Sequence, residues 1–173
     1  MVRNILVEGP ECSGKTTLVE RLRHSLHGWD SKHLAHRAGN QFDRYLEEYV
    51  NNKNVIFNRG HVSEIVYSRL WGRNCFSESE VRVLDSVAGN SMLVVFCRAG
   101  KELIRKRYLE RNFSQKINIG EIDNICAGFE AAFKNVEFVE YLSSDWQALD
   151  SVVEKIISVV SGTKCLAPLE ASK

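Results

Sequence analysis

The sequence predicts an α/β fold with a mainly parallel five-stranded sheet and helices on both faces. Short apolar segments, which predict strands, alternate with longer segments of helical periodicity, and this order is typical of a parallel sheet covered on both sides. The first apolar segment, residues 5–7, leads directly into a glycine-rich turn and a helix. The chain has 173 residues and only two prolines, so no proline-rich linker divides it and one domain is expected.

The first half of the chain shows the alternation clearly. Leu18, Leu22 and Leu26 recur every fourth residue, as on one face of a helix. The strand predicted at 31–38 is only weakly apolar, as is typical of the edge of a sheet. The short strand before Arg59 is apolar, as is typical of a strand buried on both faces. The predicted elements are, in order, helix 18–26, strand 31–38, helix 41–51, a short strand within 53–58 and helix 62–71.

The second half continues the pattern. Ser77 and Glu80 have the spacing of a capping box, which predicts the start of a helix. Residues 92–97 form the most apolar predicted strand. The remaining predicted elements are, in order, a helix from 77 to about 88, strand 92–97, a basic helix 101–111, helix 122–133, strand 136–142 and helix 149–160. Residues 163–173 are predicted to be a loose tail.

Composition narrows the range of partners. The chain is 44% hydrophobic and 26% charged with a net charge of +1, so neither nucleic acid nor a membrane is expected as a partner. The first strand starts by about Arg3, which leaves no room for a signal peptide. Five scattered cysteines without paired spacing indicate a reduced, cytoplasmic protein. The sequence leaves open whether the chain is a monomer or a homodimer.

The glycine-rich turn has the spacing of a P-loop, with Gly9, four further residues and then Gly14-Lys15-Thr16. The glycines let backbone N–H groups curl around a phosphate. Lys15 adds positive charge at the β- and γ-phosphates, and the Thr16 hydroxyl is a ligand for Mg²⁺. The sequence therefore predicts ATP and Mg²⁺ as cofactors. The predicted nucleotide-binding residues are Gly9, Cys12, Ser13, Gly14, Lys15, Thr16 and Thr17.

Further candidates follow the other strands, because ligands of parallel sheets bind at the carboxyl ends of the strands. Glu11 is a carboxylate close to the phosphates, where a substrate hydroxyl is its best partner. Arg59 and Arg37 can each pair with a phosphate. Glu64 and Tyr67 share one face of a helix and are predicted to contact substrate. Tyr67 and the neighbouring Trp71 can either stack on a nucleobase or belong to the core.

A basic run follows the fourth predicted strand. Between positions 98 and 116 it contains seven basic residues and two acidic ones, and a polar loop at 112–120 comes next. A cationic helix that leads into such a loop suits a lid over transferring phosphates, here residues 105–120. The alternatives are a solvated helix face and a nucleic-acid contact, and the latter lacks an aromatic platform.

These motifs resemble those of thymidylate kinases and related deoxynucleoside and deoxynucleotide kinases, above all the small phage-type proteins. The resemblance lies in the P-loop at 8–17, the segment 58–67 and the arginines of 103–111, and it extends over roughly residues 3–160. It implies a P-loop NTPase fold and transfer of the γ-phosphoryl group of ATP to a deoxynucleoside monophosphate, with a small-molecule nucleotide as the partner.

The resemblance also implies residue roles. Lys15, Arg59, Arg107 and Arg111 would form the catalytic set, with Arg59 on the acceptor phosphate and the other two arginines in the lid. Glu11 matches an acidic position that touches the acceptor sugar. Some thymidylate kinases have a catalytic arginine at the position of Cys12, so the lid would have to supply that charge here.

Asn58 departs from the pattern of the family, which has a carboxylate at this position that helps to hold Mg²⁺ through water. Three outcomes are open: reduced activity, compensation by Glu8 or Glu64, or nucleotide binding without catalysis. A deoxynucleoside kinase is the alternative enzyme. Its hydroxyl acceptor needs a base, usually a carboxylate after the second strand, where this chain has Arg37 and, six residues later, Asp43.

Overall fold

The computed structural model describes residues 2–73, 75–111, 117–134, 136–143 and 146–162, with the backbone only for residues 146–148. Residues 112–116 of the predicted lid and the predicted tail at 163–173 lie outside the described residues. Within the described ranges, no helix is both long and apolar enough to cross a membrane. The four described cysteines, Cys12, Cys75, Cys97 and Cys126, are free thiols.

In the described part of the chain the sheet has five strands, and every neighbouring pair is parallel, which confirms the predicted fold class. The strand order is β2-β3-β1-β4-β5. Each strand lies within or close to its predicted segment. The strands are β1 (Asn4–Glu8), β2 (Asp30–His33), β3 (Val55–Asn58), β4 (Met92–Arg98) and β5 (Val139–Leu142).

Within the described residues, seven α-helices connect and flank these strands. The predicted bounds of the second and sixth helices are confirmed, and so is the capping box at Ser77 and Glu80. A short 3₁₀ helix, Ile119–Glu121, precedes the sixth helix. The helices are α1 (Lys15–Ser25), α2 (Gln41–Asn51), α3 (His61–Leu70), α4 (Glu78–Ser91), α5 (Lys101–Glu110), α6 (Ile122–Phe133) and α7 (Trp146–Val160).

The two faces of the sheet have separate hydrophobic cores. Successive residues of a strand point to opposite faces, so Ile5 and Val7 pack with α1 and α7, whereas Leu6 packs on the side of α2 to α6. The edge strand β2 is shorter than the predicted 31–38, because Leu34 leaves the strand and packs into the core on the side of α2 to α6.

The position of β1 in the sheet determines where a ligand can bind. β1 lies between β3 and β4, so the chain crosses to one side of β1 before β3 and to the other side before β4. Such a reversal leaves a crevice outside the carboxyl end of the central strand. The predicted P-loop follows β1 directly and therefore lies in this crevice.

The turn from β3 to α3 is held tightly at the same edge. The Tyr49 hydroxyl accepts a hydrogen bond from the His61 backbone N–H at 3.1 Å and is 3.0 Å from His61 Nδ1. Gly60 directly precedes His61, and a β-carbon added there would be 2.6 Å from Leu6 Cδ1 and 3.0 Å from Glu8 Oε1. The backbone approaches the sheet so closely here that the turn has space only for glycine.

We expect Gly60→Ala to destabilise the fold by about 1–3 kcal/mol, because the added methyl group overpacks the junction of β1, α2 and α3. Gly89→Ala is the matched control: Gly89 lies in α4 with no heavy atom within 4 Å of an added β-carbon. Alanine there should stabilise the helix by about 1 kcal/mol. Thermal unfolding of both variants measures the difference, and a Gly60→Ala protein as stable as wild type would contradict the argument.

Candidate functional site

The P-loop has the backbone shape that its two glycines permit. Gly9 has a φ of +143° and Gly14 a φ of +91°, in the region where side chains are strained. An added β-carbon would collide with the Cys97 carbonyl oxygen at Gly9 and would lie 2.8 Å from Ser143 Cβ at Gly14. Both positions are therefore restricted to glycine by conformation and by space.

Lys15 is held inside the loop. Its Nζ donates hydrogen bonds to the Gly9 carbonyl at 2.8 Å and the Pro10 carbonyl at 2.5 Å, and the residue is 6% exposed. Burial, and then the positive charge of Arg59, lower the pKa of Lys15 to about 8, with Glu11 opposing the shift. In this state the ammonium group is bound by the loop itself, within reach of the position predicted for phosphate.

The start of α1 is open to an anion. Gly14 is the N-cap residue and provides no side-chain cap, so the first N–H groups of the helix are available to a phosphate. Thr16 is exposed and Thr17 half-buried in the first turn. The Ser13 hydroxyl is buried without a hydrogen-bond partner among the described residues. These groups belong to the predicted nucleotide-binding set, whose role stays a prediction.

Glu11 and Arg59 form an ion pair beside the P-loop. Arg59 Nη2 donates to Glu11 Oε2, and the Tyr67 hydroxyl donates to the same oxygen at 3.5 Å. The Arg59 guanidinium carbon lies 5.0 Å from the centre of the Tyr67 ring. Burial raises the pKa of Glu11, but the charges of Arg59 and Lys15 outweigh it and lower that pKa on balance. The predicted substrate residues Glu11, Arg59 and Tyr67 therefore lie together.

Glu8 is a fully buried carboxylate at the end of β1, and burial raises its pKa. Its Oε1 accepts the Ser63 backbone N–H at 3.2 Å, and its Oε2 accepts the Ser63 hydroxyl. Glu8 thereby anchors the first turn of α3 and the turn that carries Arg59. Asn58 differs, since its buried Oδ1 has no hydrogen-bond partner among the described residues.

A cavity of about 640 Å³ extends from Glu11 and Arg59 to a second polar region. Glu64 lies there and is 5% exposed. Its Oε1 accepts hydrogen bonds from His36 Nδ1 at 2.8 Å and from the Ser68 hydroxyl at 2.9 Å. Arg73 Nη2 is 3.9 Å from the same oxygen. The cavity thus has a cationic end beside the P-loop and a far end built around a carboxylate and a guanidinium.

One wall of this cavity is a column of two arginines and two aromatic rings, the Arg59–Arg73 column. Tyr67 and Trp71 are stacked, with ring centres 5.4 Å apart and an angle of 25° between the planes. Arg59 packs over Tyr67, and the Arg73 guanidinium carbon lies 4.7 Å from the centre of Trp71. The ring faces are engaged within the column, so the structure favours a packing role over base stacking for these aromatics.

The other predicted site residues are distributed around this cavity. Arg37 is exposed and does not line it, and Asp43 caps α2 together with Asn40. Arg107 donates to the Cys12 carbonyl at 3.1 Å, the Ser143 hydroxyl at 2.8 Å and the Ser143 carbonyl at 2.7 Å. Arg111 is exposed at the end of α5 and helps to lower the pKa of Glu11. The substrate and lid roles of Arg37, Arg107 and Arg111 stay predictions.

Two cavity residues escaped the sequence argument, His33 and Arg73. His33 ends β2 opposite Asn58, and burial together with Arg59 and Lys15 lowers its pKa, which favours a neutral imidazole. The end of the second strand was the signal for His33, but the predicted end at residue 38 lies five residues beyond the observed end at His33. Arg73 follows α3 in a loop, and no spacing connects it with the site.

Comparison with known proteins supports the fold independently. No protein-family model matches the chain, and no curated protein matches it significantly. The solved structure of YorR from Bacillus subtilis, in complex with phosphorylated GDP, is 23% identical, with a TM-score of 0.77 over 91% of this chain and 95% of YorR.

Two structures of deoxyadenosine kinase from M. mycoides are also similar. The structure with dCMP and a flexible dCDP bound is 16% identical, with a TM-score of 0.57 over 92% of this chain and 99% of the kinase. The structure with bound dATP is 16% identical, with a TM-score of 0.56 over 91% and 99%. At these identities the likeness shows a shared α/β fold over nearly the whole chain.

The buried Lys15 predicts a pH effect on stability. In the folded protein its pKa is about 8, against 10.5 for an unperturbed lysine, so the unfolded chain binds more protons between these values. As pH rises from about 8 to about 10.5, wild type should gain stability relative to Lys15→Met, by on the order of 1–3 kcal/mol. Urea unfolding of both proteins across this range measures the gain, and parallel stability curves would disprove the assigned burial of the charge.

Proposed function

We propose that this chain is an ATP-dependent kinase that transfers the γ-phosphoryl group to a deoxynucleoside monophosphate with the help of Mg²⁺. The observation that carries the proposal is the junction of the P-loop with the 640 Å³ cavity. Lys15, Glu11 and Arg59 interact there, and the cavity beyond has room for a second ligand. A donor phosphate on the loop and an acceptor phosphate at Arg59 would therefore be neighbours.

The residues present fit a hydrated Mg²⁺ ion held mainly by phosphate oxygens. Within the described residues, no three His, Cys, Asp or Glu side chains are grouped to hold a metal. The exposed hydroxyl of Thr16 would be the direct ligand, and the unpartnered Oδ1 of Asn58 can accept a hydrogen bond from the hydration shell. When bound, Mg²⁺ supplies charge neutralisation on the transferring phosphates.

The protein residues contribute position and charge. Lys15 would exchange its two carbonyl partners for phosphate oxygens, and the N–H groups at the start of α1 would bind the same phosphates. Arg59 would exchange Glu11 for the acceptor phosphate. This exchange frees the Glu11 carboxylate to accept a hydrogen bond from the acceptor sugar. In-line transfer then depends on positioning and electrostatic stabilisation, to which the Arg107 and Arg111 charges would add.

A deoxynucleoside kinase is the second candidate, and His33 favours it. A neutral imidazole at the end of β2, in the cavity that contains Arg59, could accept the proton of a 5′-hydroxyl group. The similar fold of the M. mycoides deoxyadenosine kinases supports the same reading. We rank the monophosphate first. Of the two carboxylates near Lys15 and Arg59 within the described residues, Glu8 is already bound by Ser63 and Glu11 alone pairs with Arg59, which suits a dianionic acceptor better than a neutral one.

The direct test is ADP release from ATP and Mg²⁺ with a panel of deoxynucleosides and their monophosphates. We expect Lys15→Ala to lower turnover of the preferred acceptor by roughly 100-fold or more, since it removes a preorganised charge at the transferring group. Its circular dichroism spectrum should match that of wild type, and its unfolding should stay cooperative. If wild type turns over no acceptor although it binds ATP, the chain is a nucleotide-binding protein without catalysis.

Arg59→Gln distinguishes the two kinase functions. Loss of a charge-assisted pair should weaken monophosphate binding by roughly 10- to 150-fold, or about 1.5–3 kcal/mol, and leave nucleoside binding nearly unchanged. Calorimetry with both ligands measures this difference, with Arg23→Gln on the exposed face of α1 as the control. The same comparison with Arg37→Ala tests the second predicted guanidinium. Equal losses for both ligands would place the nucleoside kinase first.

A further inference from the structure

We propose that the far end of the cavity selects a base with two adjacent hydrogen-bond acceptors followed by a donor, a pattern that guanine and cytosine have and adenine and thymine lack. Arg73 would bind the two acceptors and Glu64 the donor. This inference rests on the proposed function, because it assumes that the cationic end at Arg59 holds the acceptor phosphate. The base would then lie toward Glu64 and Arg73, which line the same cavity.

Arg73 has donors that the protein leaves unused. Its Nε and Nη2 are buried and have no hydrogen-bond partner among the described residues. Its contact with Glu64 is an ion pair at 3.9 Å, which is too long for a hydrogen bond. Nε and Nη2 lie on one edge of the guanidinium plane and together form a fork that two neighbouring acceptors can satisfy. A ligand with such an edge would remove the penalty of the unpaired donors.

Glu64 supplies the complementary acceptor. Its Oε1 accepts from His36 and Ser68, whereas no hydrogen bond to its Oε2 is present within the described residues. The carboxylate is 5% exposed, so it is fixed in place and poorly solvated. A donor on the base would satisfy Oε2. The two side chains therefore present a fork of donors with an acceptor beside it.

Contacts with its neighbours hold Arg73 in place. Its backbone N–H donates to the Ser68 carbonyl at 2.8 Å, and its guanidinium packs over Trp71 in the Arg59–Arg73 column. Trp71 is 41% exposed, and its stacking on Tyr67 connects the base end of the cavity with the phosphate end. A fork held in this way loses little conformational freedom when it binds a base.

The four bases differ in the edge that they offer to this pair. Guanine has adjacent acceptors at N7 and O6 with the N1–H donor next to O6, and cytosine has O2 and N3 next to its amino group. In adenine a ring-nitrogen acceptor lies beside the amino donor. In thymine the N3–H separates the two carbonyl groups. With adenine or thymine, one donor of the Arg73 fork would stay unpaired or face another donor.

The test is kcat/KM for dGMP, dCMP, dAMP and TMP with ATP and Mg²⁺, in wild type, Arg73→Gln, Arg73→Lys and the control Arg69→Gln. Arg69 is exposed on α3 and does not line the cavity. We expect dGMP or dCMP to exceed both TMP and dAMP by roughly 5- to 150-fold. Arg73→Gln should abolish the preference. Arg73→Lys should do so too, because lysine keeps the charge without the fork. Arg69→Gln should retain it.

Two further measurements use wild-type protein with modified ligands and so do not depend on whether a variant folds. If dGMP is the preferred acceptor, 7-deaza-dGMP should bind wild type less well, because it lacks the N7 acceptor. If dCMP is preferred, 2′-deoxyzebularine monophosphate should bind less well, because it lacks the amino donor. A preference for TMP or dAMP, or a preference that survives Arg73→Gln, overturns the inference and leaves the kinase proposal intact. If no acceptor is phosphorylated, the kinase proposal fails, and calorimetry with the four monophosphates still decides the base preference.

Discussion

Charge confined at the carboxyl end of β1 is the constraint on which the rest of this structure depends. Glu8 and Lys15 are buried, and Glu11 and Arg59 lie beside them. A buried charge without a partner is strongly destabilising, so the surrounding elements must supply partners. Ser63 at the start of α3 donates hydrogen bonds to Glu8, and P-loop carbonyls accept hydrogen bonds from Lys15. The P-loop, the first turn of α3 and the close packing at Gly60 all follow from this requirement.

The partners in the free protein differ in how easily a ligand could replace them. Glu8 has a structural role, since it is fully buried and accepts hydrogen bonds from the backbone N–H and the hydroxyl of Ser63. Lys15 and Arg59 are held by carbonyls and by a partly exposed carboxylate, which phosphate oxygens can replace. Partial burial of an ion pair gives little net stability, so the pair of Glu11 and Arg59 is better explained by binding than by folding.

Sequence reasoning succeeded where the structure depends on neighbours along the chain. The P-loop, its strand and its helix are set by residues 5–26, and the capping box by Ser77 and Glu80. It was less successful where the site depends on packing between distant segments. The partner of Glu8, the stacking of Trp71 and the position of Arg73 depend on how α3 and its following loop pack against β1. His33 was missed because β2 consists of four polar residues, and such a strand has no alternation of apolar and polar residues from which its end could be predicted.

The register of the sheet connects these observations with the charge of the proposed acceptor. Val7 is paired with Asn58 and Asn58 with His33, so the ends of β1, β3 and β2 lie side by side. At these ends the Glu8 carboxylate is bound by Ser63, Asn58 is uncharged, and the lowered pKa of His33 favours a neutral ring. Glu11 is then the carboxylate that forms an ion pair with Arg59 at this junction, and its charge also acts on Lys15. An asparagine in place of a carboxylate thus leaves the junction more positive, which strengthens its attraction for a doubly charged acceptor relative to a neutral one.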